Sequence, residues 1–578
     1  MQRRRLLLGV VLAAVVLVGG RLLSAVYADY TWYGALGAQA LWSERAGDLI
    51  LLYGIGTVLA VVIAFVNLSV LGRSIGALTL PRRLGNVEFG EAVPRRYIDR
   101  FALILSVAIA AMVTPALPGW PSLALAKLGV SFRESDPYFH HDLAFYTTWL
   151  PFEKSVYTWT MLLLVGVSVL VVFLYSLTPG LRWERAGLRM SARVRRHLSV
   201  LAALLLLITM WSYRLEAYDL LIDGGSVNAG FSYVDHQWLL PGLLLLSIAT
   251  AAASITVLLS GWAGQLRISF VAVTSIVVLS ITVQELIPLL VNRLAPRETQ
   301  LLRERAYAST RADFTRRAYG LATTAADPSG GGVLAPPLDS IATTAPGEQL
   351  QREDSLIYPG ARGLVIVVEP QLDIAGQRVG ATLSKAAYAW AYQSFNLISD
   401  SVPRRARLVT VRDVRDRIRG LVPVFAQGSM VEPMFHADTL YWKLELYSAS
   451  SDYPLSHHFV LAGEDRSYFK HAATSLINAR TARVMIAPDP TPDPIAQAWM
   501  TAFPNSSDYR AAGVVRDLTA RPWHPLSLTS GTVMSDSTFR GDVTRLYNRM
   551  RAALAASDLK AFGIAYDSLG ALISPRSR

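Results

Sequence analysis

The densest group of side chains able to do chemistry lies in one short stretch: Glu134, Asp136, His140, His141 and Asp142. Carboxylates and imidazoles this close are the donor types that hold a divalent cation, with Asp136, His140 and Asp142 as the candidate ligands. Their spacing matches no standard ligand pattern, and two adjacent histidines on an extended strand would point to opposite sides. The Asp-Pro step and the second Asp can equally cap a helix and seat an amphipathic segment on a membrane surface. A second candidate is Glu285, a carboxylate within an apolar run, where ionisable groups are costly and mark ion or proton pathways. It stands just before Pro288, so interfacial water or a backbone group freed by the proline is the competing explanation. His436, His457, His458 and His471 lie within some tens of residues of one another, a spacing that does not show whether they meet. Ser448, Ser450, Ser451 and Asp452 read as a polar turn between strands. No Gly-x-Ser-x-Gly elbow or phosphate-binding loop gives a hydrolase or nucleotide-driven reading a motif to rest on. Cysteine is absent, which excludes disulfides, thiol chemistry and Cys-based zinc sites.

Two very different halves must position these residues. Seven apolar runs occupy the first: Leu6 to Ala25, Leu49 to Leu71, Phe101 to Trp120, Thr158 to Leu177, Leu198 to Trp211, Trp238 to Leu259 and Ile268 to Leu290. Each has or approaches the roughly 20 residues that cross a hydrocarbon core. Of 578 residues, 52% are hydrophobic and 17% charged, a balance foreign to a soluble enzyme. The net charge of +12 is concentrated in alternate connections. Arg3 to Arg5 precede the first run; six arginines between Arg73 and Arg100, six between Arg182 and Arg196, and Arg267 fill the even connections. The odd connections hold only Arg45, then Lys127, Arg133 and Lys154, then Arg214. Basic connections stay cytoplasmic, so seven spans place everything after about Asn292 outside. These arginines answer to orientation and anionic lipid; nucleic acid is not implied. Arg3–Arg5, the apolar start and Ala25-Val26-Tyr27-Ala28 imitate a cleavable signal, but Gly19, Gly20 and Arg21 end its core poorly, and the span is read as retained.

The expected layout is an α-helical membrane bundle, N-in and C-out, followed by an α+β extracytoplasmic domain with a C-terminal helical hairpin. Its divisions are a seven-span domain at 1–295, a juxtamembrane segment at 296–321, an Ala/Thr/Gly/Pro linker at 322–351, the α+β domain at 352–535 and the hairpin at 536–578. Within the α+β domain, 364–368, 407–411, 440–447, 459–461 and 484–486 read as strands, with 459–461 as the partner of 440–447. Helices are expected at 379–395, 414–421, 468–479 and 494–503, the second with alternating arginine and aspartate on a solvated face.

Three blocks resemble a known family together: Arg303-Glu-Arg-Ala-Tyr through Ala318-Tyr-Gly-Leu321, Asp136-Pro-Tyr-Phe-His-His-Asp-Leu-Ala-Phe-Tyr146 with Leu150-Pro-Phe152, and Leu440-Tyr-Trp through Ser448-Ala-Ser-Ser-Asp-Tyr-Pro-Leu-Ser456. They resemble the bacterial integral-membrane proteins of uncharacterised protein family 0182. The Asp489 to Pro504 segment and the Ala553 to Tyr566 hairpin are similar to it as well. The resemblance implies seven spans, a large extracytoplasmic region and residence in the bacterial plasma membrane. Members are longer, with extra sequence where this chain has its linker, so the chain resembles a shortened form. No catalytic residue and no cofactor come with the resemblance.

The leading expectation is a non-enzymatic membrane protein that presents its outer domain for envelope structure, assembly or partner binding. Its partners would be the lipid bilayer and an envelope protein; oligomeric state is not legible. The rivals are a transporter or channel using Glu285 and an envelope enzyme acting on lipid-linked sugars through the Asp136–Asp142 cluster.

Overall fold

A computed structural model describes residues 2–75, 82–84, 87–89, 95–178, 180–184, 187–225, 230–294, 296–321, 355–368, 373–436, 439–461, 464–504 and isolated positions between 545 and 552. The 322–351 linker and nearly all of the 536–578 hairpin lie outside the described residues. Among the described residues, seven helices are long and apolar enough to cross a membrane: Leu12–Ala35, Gln39–Arg73, Arg96–Ala116, Phe145–Ser176, Ala192–Ile222, Asp235–Ala263 and Leu266–Val291. The fifth and sixth run antiparallel against each other, the second pairs with the third, and the seventh lies on the sixth. The first meets the second near its C-terminal end, where Asp29 accepts from Trp42 and pairs with Arg45. Between Leu12 and Val26 its large side chains face outward, with Leu17 55% and Leu23 73% exposed.

Four π-helical turns interrupt these helices among the described residues, at Ile50–Ile55, Phe145–Trp149, Asp235–Leu239 and Thr282–Leu286. Three of them end two residues before a proline: Pro151, Pro241 and Pro288. A proline inside a helix lacks an N–H and collides with the carbonyl four residues earlier. Widening the preceding turn relieves that collision and lets the helix continue.

A five-stranded antiparallel sheet covers one end of the helices. Its centre is Thr439–Ser450, with Tyr468–Asn478 and then Val484–Pro488 on one side, and Glu432–His436 and Phe425–Gln427 sharing the other. Along Thr439–Ser450 the burial alternates residue by residue, as a strand with one covered face requires. Its covered residues, Leu440, Trp442, Leu444 and Leu446, belong to the same hydrophobic core as Tyr33, Leu143, Tyr146, Leu150, Leu221 and Leu243 of the helices. Helix ends and sheet therefore share one core. A second, three-stranded sheet is formed by Val365–Val367, Arg407–Val409 and Gln377–Arg378.

Several sequence expectations need correction. Residues 468–479 form a strand, not a helix. Seven consecutive residues there, His471 to Ile477, are buried, because both faces of the strand are covered; alternation vanishes and the alanines suggest a helix. Phe459–Leu461 pairs with Glu464–Arg466 in its own two-stranded ribbon and does not join Thr439–Ser450. Ser448 and Ser450 lie within the central strand, both buried. The Val414–Leu421 helix forms as read, capped by Asp413 accepting from the Arg415 and Asp416 N–H groups, but Arg417 on it is 1% exposed. The helix at Pro494–Ala502 also forms as read, with Asp493 as its cap and Trp499 fully buried.

Candidate functional site

The Asp136 segment is an elaborately bonded loop between the third and fourth apolar helices. Asp136 is fully buried. Its Oδ1 accepts from the N–H groups of Tyr138 (2.9 Å) and Phe139 (2.6 Å); its Oδ2 accepts from the His141 N–H (2.8 Å) and the Tyr146 hydroxyl (3.1 Å). Asp142 accepts from the N–H groups of Phe132, Arg133 and Ala144 and from the Ser131 hydroxyl. Burial works to raise the Asp142 pKa, but the Ser131 hydroxyl and the three N–H groups outweigh it and hold the carboxyl below its ordinary value. His140 is exposed with a φ of +58°, whereas His141 packs inward among Phe139, Phe145 and Tyr218. The structure thus brings Asp136 and Asp142 into one loop and turns the two histidines apart. Among the described residues no three His, Asp or Glu side chains gather as a metal ion would require.

The helix Arg297–Ala318 joins this loop to the sheet. Near its middle, Tyr307 Oη lies 2.9 Å from His236 Nδ1 and Arg311 donates to the Phe231 carbonyl, fastening the connection between the fifth and sixth helices. One turn further, Thr315 Oγ1 accepts from the His457 N–H (2.9 Å) and Arg317 pairs with Glu134 (3.1 Å). Beyond the helix end, the Tyr319 hydroxyl donates to the Arg466 carbonyl at 2.5 Å, with the His457 carbonyl 3.1 Å away. The sheet side answers directly. The Leu455 N–H donates to the Leu221 carbonyl (2.6 Å), and Lys154 sits between Asp219 (2.5 Å) and Asp452 (2.9 Å). Phe132 packs between Tyr453 and Tyr468. The three blocks that carry the family resemblance, far apart in sequence, meet at this joint. A cavity of about 280 Å³ remains within it, lined by Asp223, Arg311, His457, His458 and Asp465 among others. Burial, Arg311 and His458 together push the His457 pKa down.

A second seam lies at the end of the first helix. The Tyr33 hydroxyl donates to the Gly420 carbonyl (2.9 Å), and Gln377 Nε2 donates to the Ala28 carbonyl (2.5 Å). A side chain at Gly420 would strike the Trp32 ring, its Cβ lying 2.6 Å from a ring carbon, so glycine permits the close approach. Arg417 donates to the carbonyls of Val411 (2.8 Å) and Ala375 (3.0 Å), and its guanidinium lies 6.0 Å from the Trp32 ring centre. Burial pushes its pKa down to about 9. Around these ties is a groove of about 780 Å³, rimmed by the ion pairs Asp29–Arg45 and Asp416–Arg419, both 2.7 Å.

Glu285 is exposed on the seventh helix; its neighbour Gln284 turns inward and donates to Glu216 (2.8 Å). The polar groups held between helices are others. Glu153 accepts from the indoles of Trp149 (3.1 Å) and Trp211 (2.9 Å) and pairs with Arg214 (2.8 Å). At the far end of the helices, His197 bridges Tyr175 and Asn67 at 2.9 Å each. Glu153 and Glu216 escape notice in the sequence, and Arg214 is read only as a charge of the fifth connection, because all three sit beside the apolar runs, within helices that extend beyond them. The spacing of Arg214, Glu216 and Asp219 on continuing helical periodicity was the available signal.

The chain matches the model of the uncharacterised protein family UPF0182 over residues 6–332 and 373–511. It is similar to UPF0182 proteins of Moorella thermoacetica (29% identity; 53% of this chain, 34% of that protein), Saccharopolyspora erythraea (28%; 55% and 34%) and Rhodococcus opacus (30%; 55% and 32%). The matched region spans about a third of these curated relatives. No solved structure matches the chain. The chain belongs to the uncharacterised protein family UPF0182.

Proposed function

We propose that this is a multi-pass plasma-membrane protein whose sheet domain is a fixed extracytoplasmic platform for envelope structure, assembly or partner binding. The observation that carries this reading is the single core running from the helix ends into the sheet, reinforced by backbone-directed hydrogen bonds at the joint. A domain held in one pose presents a constant surface to a partner, which limits the ordering cost of association. The domain also sits at the helix ends that carry the arginine-poor connections, in keeping with an outward orientation. Transport through Glu285 draws no support from a side chain that faces away from the other helices, and the Asp136 and Asp142 carboxylates are occupied in building their loop.

The test is affinity capture of the full chain from native membranes in mild detergent, beside a Lys154→Met variant that loosens the joint. The platform reading expects a stoichiometric envelope protein with the native chain and less of it with the variant. Equal recovery from both, or a solute flux abolished by Glu285→Gln, would contradict it.

A further inference from the structure

Three of the large apolar side chains that the sheet domain leaves exposed are gathered in one short segment. Leu383 is 84% exposed, Phe395 56% and Ile398 45%, on the helix Thr382–Tyr392 and the 3-10 turn Phe395–Ile398 that follows it. Trp390 joins them, its ring 6.2 Å from that of Phe395. Leu383, Ala387 and Trp390 follow one another at helical spacing and form a continuous stripe. Other sides of the helix are committed elsewhere. Lys385 donates to the carbonyls of Ser399 and Val402, and Tyr388 and Ala389 pack with Val379 and Leu397.

The remaining side fixes the segment's height against the first apolar helix. The Tyr27 hydroxyl donates to Ser384 Oγ (3.2 Å), and its ring lies 5.5 Å from that of Tyr388. Tyr27 is not at the tip of its helix: the residues from there to Ala35 rise about 12 Å further. Directly before Tyr27 come Leu22, Leu23 and Val26, which are 63%, 73% and 53% exposed. Tyr27 and Tyr30, 38% and 42% exposed, are the outward aromatic side chains of this stretch, the residue type that marks a membrane–water boundary. Exposed Arg404 is beside the start of the stripe, its carbonyl accepting from the Gly380 N–H (3.0 Å).

We infer that Leu383, Trp390, Phe395 and Ile398 form a foot by which the sheet domain enters the outer leaflet of the bilayer. The occupant of this surface is lipid, because the helix that carries the stripe meets the first helix at Tyr27, directly after its exposed Leu22, Leu23 and Val26. Arg404 adds a cation where phosphate headgroups lie. The inference rests on the reading of the first helix as membrane-spanning.

The absence of cysteine allows a direct test on the full-length protein. Single variants Leu383→Cys and Phe395→Cys would carry an environment-sensitive fluorophore in vesicles of phosphatidylcholine and phosphatidylglycerol, with and without brominated chains. Leu22→Cys serves as the lipid reference. Glu432→Cys, whose residue faces solvent at the edge of the main sheet, serves as the water reference. The expected result is quenching at 383 and 395 at least twofold above that at 432 and approaching that at 22. Quenching at 22 alone, with 383 and 395 following 432, overturns the foot and leaves the spanning reading intact. No quenching at 22 overturns the spanning reading and the foot with it. Blue-shifted but unquenched labels at 383 and 395 mean that protein covers the stripe, and the foot is wrong.

Discussion

The two seams between helices and sheet are built on different principles. At the joint of the three blocks, bonds run to backbone: the Thr315 hydroxyl accepts from the His457 N–H, the Tyr319 hydroxyl donates to the Arg466 carbonyl, and the Leu455 N–H donates to the Leu221 carbonyl. Such bonds specify one pose, because sliding the domain breaks several together and leaves buried groups unpaired. At the first helix, a few backbone-directed ties stand beside a groove of about 780 Å³ whose rim pairs are substantially exposed. Exposed pairs contribute little and are replaceable by water. The first seam fixes the domain; the second leaves room beside it.

The contrast can be broken most severely at Asp136. Asp136→Ala removes the acceptor for three N–H groups and the Tyr146 hydroxyl. A loss of about 3–5 kcal/mol is expected, read as a large fall in Tm in detergent. Lys154→Met leaves Asp219 and Asp452 facing each other without their shared cation. It should cost about 1–3 kcal/mol and make the sheet domain more sensitive to limited proteolysis. At the rim of the groove the effect should nearly vanish: Arg419→Ala, whose pair with Asp416 is 65% and 59% exposed, should change stability by less than about 0.5 kcal/mol. An equal loss at Arg419 and Lys154 would erase the distinction.

Between these extremes lies the buried His471 of the sheet, which bridges Asp489 (2.7 Å) and Glu445 (2.9 Å). Burial works to lower the His471 pKa, but both carboxylates outweigh it and hold it above its ordinary value. Burial likewise works to raise Glu445, yet the bonds from His471, Lys443 and Thr474 bring it down to about 2. The histidine's contribution is fully present below about pH 6.5 and is lost as pH rises through its raised folded value. The glutamate's contribution is present above about pH 4.5 and is lost as pH falls toward 2. The penalty of His471→Gln should therefore be largest, about 1–2 kcal/mol, between pH 4.5 and 6.5, and shrink toward pH 9 in unfolding measured across that range. A penalty independent of pH would show that the imidazole acts by packing alone.

Much of the architecture was legible because its signals are strong. Apolar runs named all seven long helices, and helical patterning at 414–421 and 494–503 marked two helices of the sheet domain. What escaped depended on tertiary surroundings. Tyr468–Asn478 reads as a helix because a strand covered on both faces loses its two-residue period. Arg417 reads as part of a solvated face, yet carbonyls of Val411 and Ala375 and the Trp32 ring receive it in the interior. Glu285 draws attention as the lone carboxylate of its run, while the inward position belongs to Gln284, one residue earlier. Asp136 and Asp142 draw attention in the sequence as candidate metal ligands. Their use as acceptors for backbone N–H groups follows from a loop conformation that spacing alone does not disclose.

The central claim, that sheet and helices form one body, is tested most directly by a distance across it. Spin labels at Glu432→Cys on the sheet and Leu177→Cys at the far end of the fourth helix, both exposed, would be measured by electron–electron double resonance in nanodiscs. A single narrow distribution is predicted, broadening when Lys154→Met is added. A broad or multi-peaked distribution in the otherwise native chain would mean that the domain swings on its tether, contradicting the account.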